Sequence, residues 1–178
     1  MRPSRCFCFY TEPPKAQTMC SGTSMQRRRR PGWDPGAEFS RHHLGCHDWQ
    51  LWADVEFLNR ALDRVFDAAP IDPARIAIGG FSDGATYAIA LGLINSDLFK
   101  RVAAFSPGFV MDGSAEGKPR FFVSHGTRDR ILPIESCGRR VAADLTSRGY
   151  EVNFREFDGG HEIPADVMLD GLRWVSRP

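Results

Sequence analysis

Residues 79–84, with the sequence Gly-Gly-Phe-Ser-Asp-Gly, constrain the fold of this chain more than any other stretch. Residues 74–78 before them are mostly apolar and partly β-branched, which indicates a buried strand. Residues 85–94 after them are rich in Ala, Leu and Ile, which predicts a buried helix. A Gly-x-Ser-x-Gly sequence at the turn between a strand and a helix is typical of a nucleophile elbow.

The elbow makes specific demands on its residues. The turn is so sharp that Ser82 takes a strained backbone conformation and presents its hydroxyl at the end of the strand. Gly80 and Gly84 are required because a Cβ at either position would collide with neighbouring backbone. The backbone N–H of Asp83 then points to where an oxyanion would form. On the pattern alone, a glycine-rich turn with an incidental serine remains an alternative.

Strands and helices are predicted to alternate along the rest of the chain. Helices are expected over residues 54–67, 85–94, 133–148 and 164–176, with Ile134, Cys137, Val141 and Leu145 facing inward from the third. Strands are expected over residues 74–78, 101–105, 120–124 and 151–157. Such alternation predicts the α/β class, with a mostly parallel sheet and helices on both of its faces.

Ser82 and two further polar residues follow three different predicted strands. Asp129 follows the strand at residues 120–124, and His161 follows the strand at residues 151–157. Loops at the carboxyl ends of parallel strands meet at one edge of the sheet. The order serine, acid, histidine is that of the α/β-hydrolase triad, in which histidine activates serine and the acid orients histidine. An ordinary turn carboxylate and a simple loop histidine are the alternatives.

Composition separates the first 50 residues from the rest. Residues 1–50 are rich in Pro, Arg, Ser and Gly, show no helical period and are predicted to be an irregular, disordered segment, although residues 5–10 could form a short strand. The basic run at residues 27–30 is a solvated tract or, alternatively, a nuclear or organellar address. Residues 51–178 form the expected folded domain, with 15 Lys and Arg against 18 Asp and Glu. This acidic balance argues against nucleic acid as a partner.

The cysteines and histidines indicate neither a disulfide framework nor a metal site. The five cysteines are odd in number, and only Cys137 lies beyond residue 50, so we expect reduced thiols and a cytoplasmic protein. His42, His43, Cys46 and His47 lie close together, but no second ligand pair follows at a suitable spacing, and no metal is predicted. No apolar run reaches the length that a transmembrane helix needs.

Residues from about 54 to 176 resemble the phospholipase/carboxylesterase family of α/β-hydrolases, which includes small serine esterases, lysophospholipases and acyl-protein thioesterases. Residues 71–76, 80–84, 125–129 and 159–161 match the motifs of that family in order. The resemblance implies Ser82 as nucleophile, His161 as base and Asp129 as its orienter. It also implies an ester or thioester substrate and no cofactor. Acyl-protein thioesterases usually have Gln after the serine, so Asp83 favours a general small carboxylesterase.

The resemblance also implies that the N-terminal third of the usual domain is absent or replaced. No strand ending in a glycine-rich loop precedes residue 54, so a second oxyanion donor is not evident. The strand before Ser82 would then be an exposed apolar edge, which predicts self-association as a homo-oligomer. The alternative function is a truncated, non-catalytic homologue that acts by binding or self-association.

Overall fold

The computed structural model describes residues 4–10, as the backbone of a strand, together with residues 58, 60–111 and 117–177. The chain divides into two compact units. One comprises Met1–Ser4 and Thr18–Asp72, and the other comprises Arg5–Gln17 and Pro73–Pro178. In the first unit, helix α1 covers residues 60–68 and buries Leu62. The second unit holds most of the sheet and the whole candidate site.

A sheet of five strands, in the order β1-β2-β3-β4-β5, forms the centre of the second unit. The strands are β1 (Ser4–Tyr10), β2 (Ile71–Phe81), β3 (Arg101–Phe105), β4 (Arg120–Gly126) and β5 (Val152–Phe157). The helices after α1 are α2 (Asp83–Ile94), α3 (Gly138–Ser147) and α4 (Ala165–Val175). Strands β2 to β5 are parallel to their neighbours, so their carboxyl ends lie along one edge of the sheet.

Helices cover both faces of the sheet, as the alternation of elements predicts. Gly92 of α2 packs on Val102, where an added Cβ would lie 2.3 Å from Val102 Cγ2. Gly171 of α4 packs on Phe105, where an added Cβ would lie 2.6 Å from the ring. Val102 and Phe105 point to opposite faces because side chains alternate along a strand. Helices α2 and α4 therefore lie on opposite faces of an α/β-hydrolase sheet.

The predicted elements match the observed ones with shifts at their ends. Strand β3 has the predicted bounds, whereas β2 is longer at both ends. Helix α3 begins at Gly138 and not at Pro133, because the backbone of Cys137, with φ −116° and ψ −90°, departs from helical geometry. The side chains expected to face inward from this region are buried: Ile134, Cys137, Val141 and Leu145.

The expectation that the strand before Ser82 is an exposed edge is wrong. Strand β1 lies beside β2, so β2 is an interior strand. Ile76, Ala77 and Ile78 are at most 4% exposed. The reason is that residues 4–10, within the segment predicted to be irregular, form a strand and supply the missing neighbour. The predicted self-association loses the open edge on which it rested.

Several expectations fall on residues outside the part of the chain that the structure describes. These are the disorder expected over the remainder of residues 1–50, the basic run at residues 27–30, the candidate metal ligands His42, His43, Cys46 and His47, and the start of the first helix. The domain boundary expected after residue 50 is also outside the described residues and stays a prediction.

Among the helices that are described, none is both long and apolar enough to cross a membrane.

Candidate active site

Ser82 lies at the junction between β2 and α2 in a strained backbone conformation, as the elbow sequence predicts. Its φ is 57° and its ψ is −123°. Its N–H donates to the Phe105 carbonyl at 2.9 Å, which ties the turn to the end of β3. Its carbonyl accepts hydrogen bonds from the N–H groups of Ala85 and Thr86, at 3.0 and 3.2 Å. These contacts fix the turn that presents the Ser82 hydroxyl.

Gly80 permits the close approach that makes this turn possible. A Cβ at Gly80 would lie 2.1 Å from the Gly84 carbonyl oxygen and 2.9 Å from the Ala85 nitrogen. Both atoms belong to the backbone and cannot rotate away as the end of a side chain would. The requirement for glycine at this position is therefore steric.

Asp129 follows β4, and its side chain is fully buried. One carboxylate oxygen, Oδ1, accepts hydrogen bonds from the backbone N–H groups of Ile131 and Leu132, each at 2.9 Å. The other oxygen, Oδ2, lies 2.7 Å from His161 Nδ1. The turn at residues 129–132 therefore orients one oxygen and leaves the other for the imidazole.

The hydrogen bonds to Asp129 stabilise its ionised form. Burial opposes the charge, but the hydrogen bonds from His161 and from the N–H groups of Leu132 and Ile131 outweigh burial and lower the pKa of Asp129 below its ordinary value. A carboxylate that stays ionised can accept a hydrogen bond from the His161 ring and stabilise its positive charge.

His161 lies in the loop after β5 and connects the other two side chains. Its ring packs beside Phe81, with 4.7 Å between the ring centroids. Its Nε2 lies 2.8 Å from Ser82 Oγ, and its Nδ1 faces Asp129. The structure thus brings Ser82, His161 and Asp129 together in one hydrogen-bonded chain. With Nδ1–H donating to the carboxylate, Nε2 is free to accept the serine proton.

The loops that carry Asp129 and His161 are bonded to one another through their backbones. The N–H groups of Thr127 and Arg128 donate to the carbonyls of Phe157 and Gly159, each at 2.9 Å. Gly126 allows the approach, because a Cβ there would lie 2.3 Å from the Gly160 carbonyl oxygen. This pairing sets the distance between the acid and the histidine.

Asp83, the remaining predicted site residue, is the first residue of α2. The first N–H groups of a helix have no partner within it, so the Asp83 N–H is free of intrahelical bonding next to Ser82. A second oxyanion donor is expected upstream of residue 54, and most of those residues lie outside the described ranges. Within those ranges, no group of three or more His, Cys, Asp and Glu side chains is placed to hold a metal.

His125 contacts this site, although sequence reasoning gave it no role beyond its place in a motif. It is fully buried, and its Nε2 lies 2.7 Å from the Leu132 carbonyl oxygen and 3.3 Å from Asp129 Oδ2. The available signal was the position of His125 near the end of a strand that is buried from Phe121 to Gly126. A buried histidine next to the loop that carries Asp129 needs a polar partner there.

Known proteins resemble this chain in sequence. The sequence profile of the Phospholipase/Carboxylesterase family matches residues 14–176, which extends further upstream than the motifs at residues 71–161. Acyl-protein thioesterase 1 of Emericella nidulans is 25% identical over 167 residues, which cover 85% of this chain and 67% of that protein.

Solved structures show the same fold at low identity. Esterase PE8 has a TM-score of 0.59 at 22% identity, over 70% of this chain and 60% of that one. The Bacillus cereus carboxylesterase has a TM-score of 0.58 at 20% identity, over 74% of this chain and 63% of that one. The chain therefore spans less than two thirds of the length of these two enzymes. Because the family profile matches most of its residues, this chain belongs to the phospholipase/carboxylesterase family of α/β-hydrolases.

Proposed function

We propose that this chain is a serine hydrolase that cleaves carboxylic esters or thioesters. The observation that carries the proposal is the hydrogen-bonded chain from Ser82 Oγ through His161 to Asp129 Oδ2, with steps of 2.8 and 2.7 Å. Both distances are within the range for hydrogen bonds between a nucleophile, its base and the orienting group. In this proposal Ser82 is the nucleophile, His161 the general base and Asp129 the group that orients His161.

The reaction follows from the placement of these groups. His161 Nε2 takes the hydroxyl proton as Ser82 Oγ attacks the acyl carbon, and the carbonyl electron pair moves onto oxygen. The Asp83 N–H donates to that oxyanion. Collapse expels the alcohol or thiol, which takes the proton from His161. Water, activated by His161, then releases the acid from the acyl-enzyme. This scheme requires no metal and no cofactor.

The relatives support an ester or thioester bond as the target. Their names include a thioesterase, an esterase and a carboxylesterase, and all three reactions proceed by acyl transfer. Asp83 follows the serine where acyl-protein thioesterases usually have Gln. This difference favours a small carboxylic ester over an acylated protein as the substrate of this chain.

The test is hydrolysis of a short p-nitrophenyl ester by the wild-type chain and by Ser82→Ala. We expect turnover in the wild type and its loss in the variant, with the circular dichroism spectrum unchanged. Ser136→Ala is the matched control, because Ser136 is exposed and, in the described part of the chain, its hydroxyl bonds to the Pro133 carbonyl of its own turn and to Cys137. A fluorophosphonate should label Ser82 in the wild type and in Ser136→Ala. Full activity in Ser82→Ala would exclude Ser82 as the nucleophile.

The non-catalytic alternative has lost one of its supports. It was partly based on an open edge at β2, and that edge is covered by β1. Absence of both ester hydrolysis and fluorophosphonate labelling in the folded wild-type chain would restore it.

A further inference from the structure

The position of the Asp129 carboxylate depends on the turn that follows it. Among the described residues, its Oδ1 is held by the N–H groups of Ile131 and Leu132, which belong to that turn. Ile131 is 69% exposed, so its side chain packs little and gives the turn little support. Any group that anchors this turn therefore also controls where Asp129 Oδ2 meets His161.

His125 is placed to provide that anchor. Its Nε2 is 2.7 Å from the Leu132 carbonyl oxygen, and a carbonyl only accepts, so Nε2 carries the hydrogen. The same Nε2 lies 3.3 Å from Asp129 Oδ2, so the ring is close to the carboxylate although its hydrogen bond goes to the Leu132 carbonyl. One N–H group thus contacts both the end of the turn and the oxygen that faces His161.

The ring of His125 is itself held in place. It is fully buried, and α3 begins directly against it, since a Cβ on Gly138 would lie 2.5 Å from His125 Nδ1. His125 Nδ1 has no hydrogen-bond partner in the part of the chain that the structure describes. An apolar residue would avoid leaving a buried ring nitrogen unpaired. A histidine that served packing alone would therefore be a poor choice for this position.

We infer that His125 is a positioning residue that holds the Asp129 carboxylate in register with His161 by donating from Nε2. The inference rests on the proposed function, in which Asp129 orients His161. His125 touches neither substrate nor the reacting atoms, so it acts through Asp129. The competing explanation is that the ring of His125 only fills space between β4 and α3.

Two substitutions separate these explanations. His125→Gln retains an amide N–H close to the position of Nε2 but loses the ring, whereas His125→Phe retains the ring shape but loses the donor. If donation is the function, His125→Phe should lower kcat about 10–100-fold with KM nearly unchanged, and His125→Gln should stay within about threefold of the wild type. If packing is the function, the order is reversed, with Phe the better replacement.

A readout independent of turnover is the low-field proton resonance of His161 Nδ1–H, measured by NMR. We expect it in the wild type and in His125→Gln, and we expect it to be lost or strongly shifted in His125→Phe. If His125→Phe does not fold, His125→Asn replaces it, since its shorter amide reaches the position of Nδ1 and not of Nε2. Wild-type kcat and an unchanged resonance in a folded variant without the donor would overturn the inference.

The same measurements distinguish this inference from the proposed function. A wild type that hydrolyses no ester, yet shows the resonance, would contradict the proposed function alone. The response of the resonance to the two substitutions then decides the role of His125 by itself.

Discussion

The backbone of Ser82 stores conformational strain at the residue that carries the proposed nucleophile. A non-glycine residue at positive φ in such a sparsely populated region is destabilised by about 1–3 kcal/mol. Hydrogen bonds from the Ser82 N–H to Phe105 and to the Ser82 carbonyl from Ala85 and Thr86 hold it there. The surrounding turn therefore determines the direction of the hydroxyl, against the intrinsic preference of serine.

Asp129→Asn should lower kcat by about 10³–10⁴-fold while the fold is kept. The amide lacks the charge that stabilises the His161 imidazolium, and its NH₂ group can hold the ring in the wrong tautomer. Steady-state kinetics with a p-nitrophenyl ester measure the loss. Asp158→Asn is the control, since Asp158 is an exposed carboxylate nearby that pairs with Arg128. A loss of similar size in Asp158→Asn would show that general charge near the site, and not Asp129, is responsible.

The same variant has a pH signature in its stability. The pKa of Asp129 is lowered in the folded chain, so its ionisation adds stability that is present above the unfolded pKa of about 4 and is lost as the pH falls through the folded value. The difference in free energy of unfolding between the wild type and Asp129→Asn should therefore shrink as the pH falls below about 4. Urea denaturation at several pH values measures it.

At the scale of the elements, Gly126 determines how closely the loop after β4 can approach the loop after β5. Gly126→Ala should force the loops apart, because the added methyl would meet the Gly160 and Gly159 carbonyl oxygens at 2.3 and 2.5 Å. We expect a destabilisation of about 1–3 kcal/mol, measured by urea denaturation, together with a large loss of esterase activity.

Gly160→Ala is the matched control for that change. It adds the same methyl to the partner loop, where a Cβ would have no heavy atom within 4 Å. It should leave stability and activity close to those of the wild type. Equal damage from both substitutions would mean that loop flexibility, and not the space between the loops, is what the glycines provide.

The elements that could be predicted from the sequence are those with local signals. β3 follows from a short apolar run, and the turn at Ser82 follows from its glycines. The order of Ser82, Asp129 and His161 on three strand ends predicted that they would meet, because the carboxyl ends of parallel strands share an edge.

The features that were missed depend on contacts that are distant in sequence or on hydrogen bonds. Pairing of β1 with β2 joins residues about sixty positions apart in the sequence. No local pattern in residues 4–10 indicates which strand they pair with. The start of α3 at Gly138 is set by the non-helical backbone of Cys137, which interrupts the turn that begins at Pro133. The contact of His125 with Leu132 depends on how the turn at residues 129–132 folds back over the strand.

At the scale of the molecule, β1 is the edge strand of the sheet and lies next to β2, the strand that leads to Ser82. Deleting residues 1–10 should expose the backbone N–H and C=O groups along one edge of β2. We expect a lower thermal midpoint and concentration-dependent association, measured by light scattering. Deleting residues 1–3 is the control, since it leaves β1 intact. A monomeric protein of unchanged midpoint after the longer deletion would show that β1 contributes nothing to stability.

The long separation between β1 and β2 also bears on the order in which the chain folds. Fewer than thirty residues separate each neighbouring pair from β2 to β5, whereas about sixty separate β1 from β2. Loop-closure entropy grows with that length, so β1 should be the last strand to join and the first to leave. Hydrogen–deuterium exchange should then be faster in β1 than in β3, and equal protection would mean that all strands open together. During synthesis, we therefore expect the edge of β2 to stay open until β1 pairs with it, and an unpaired strand edge is a site at which a newly made chain can aggregate.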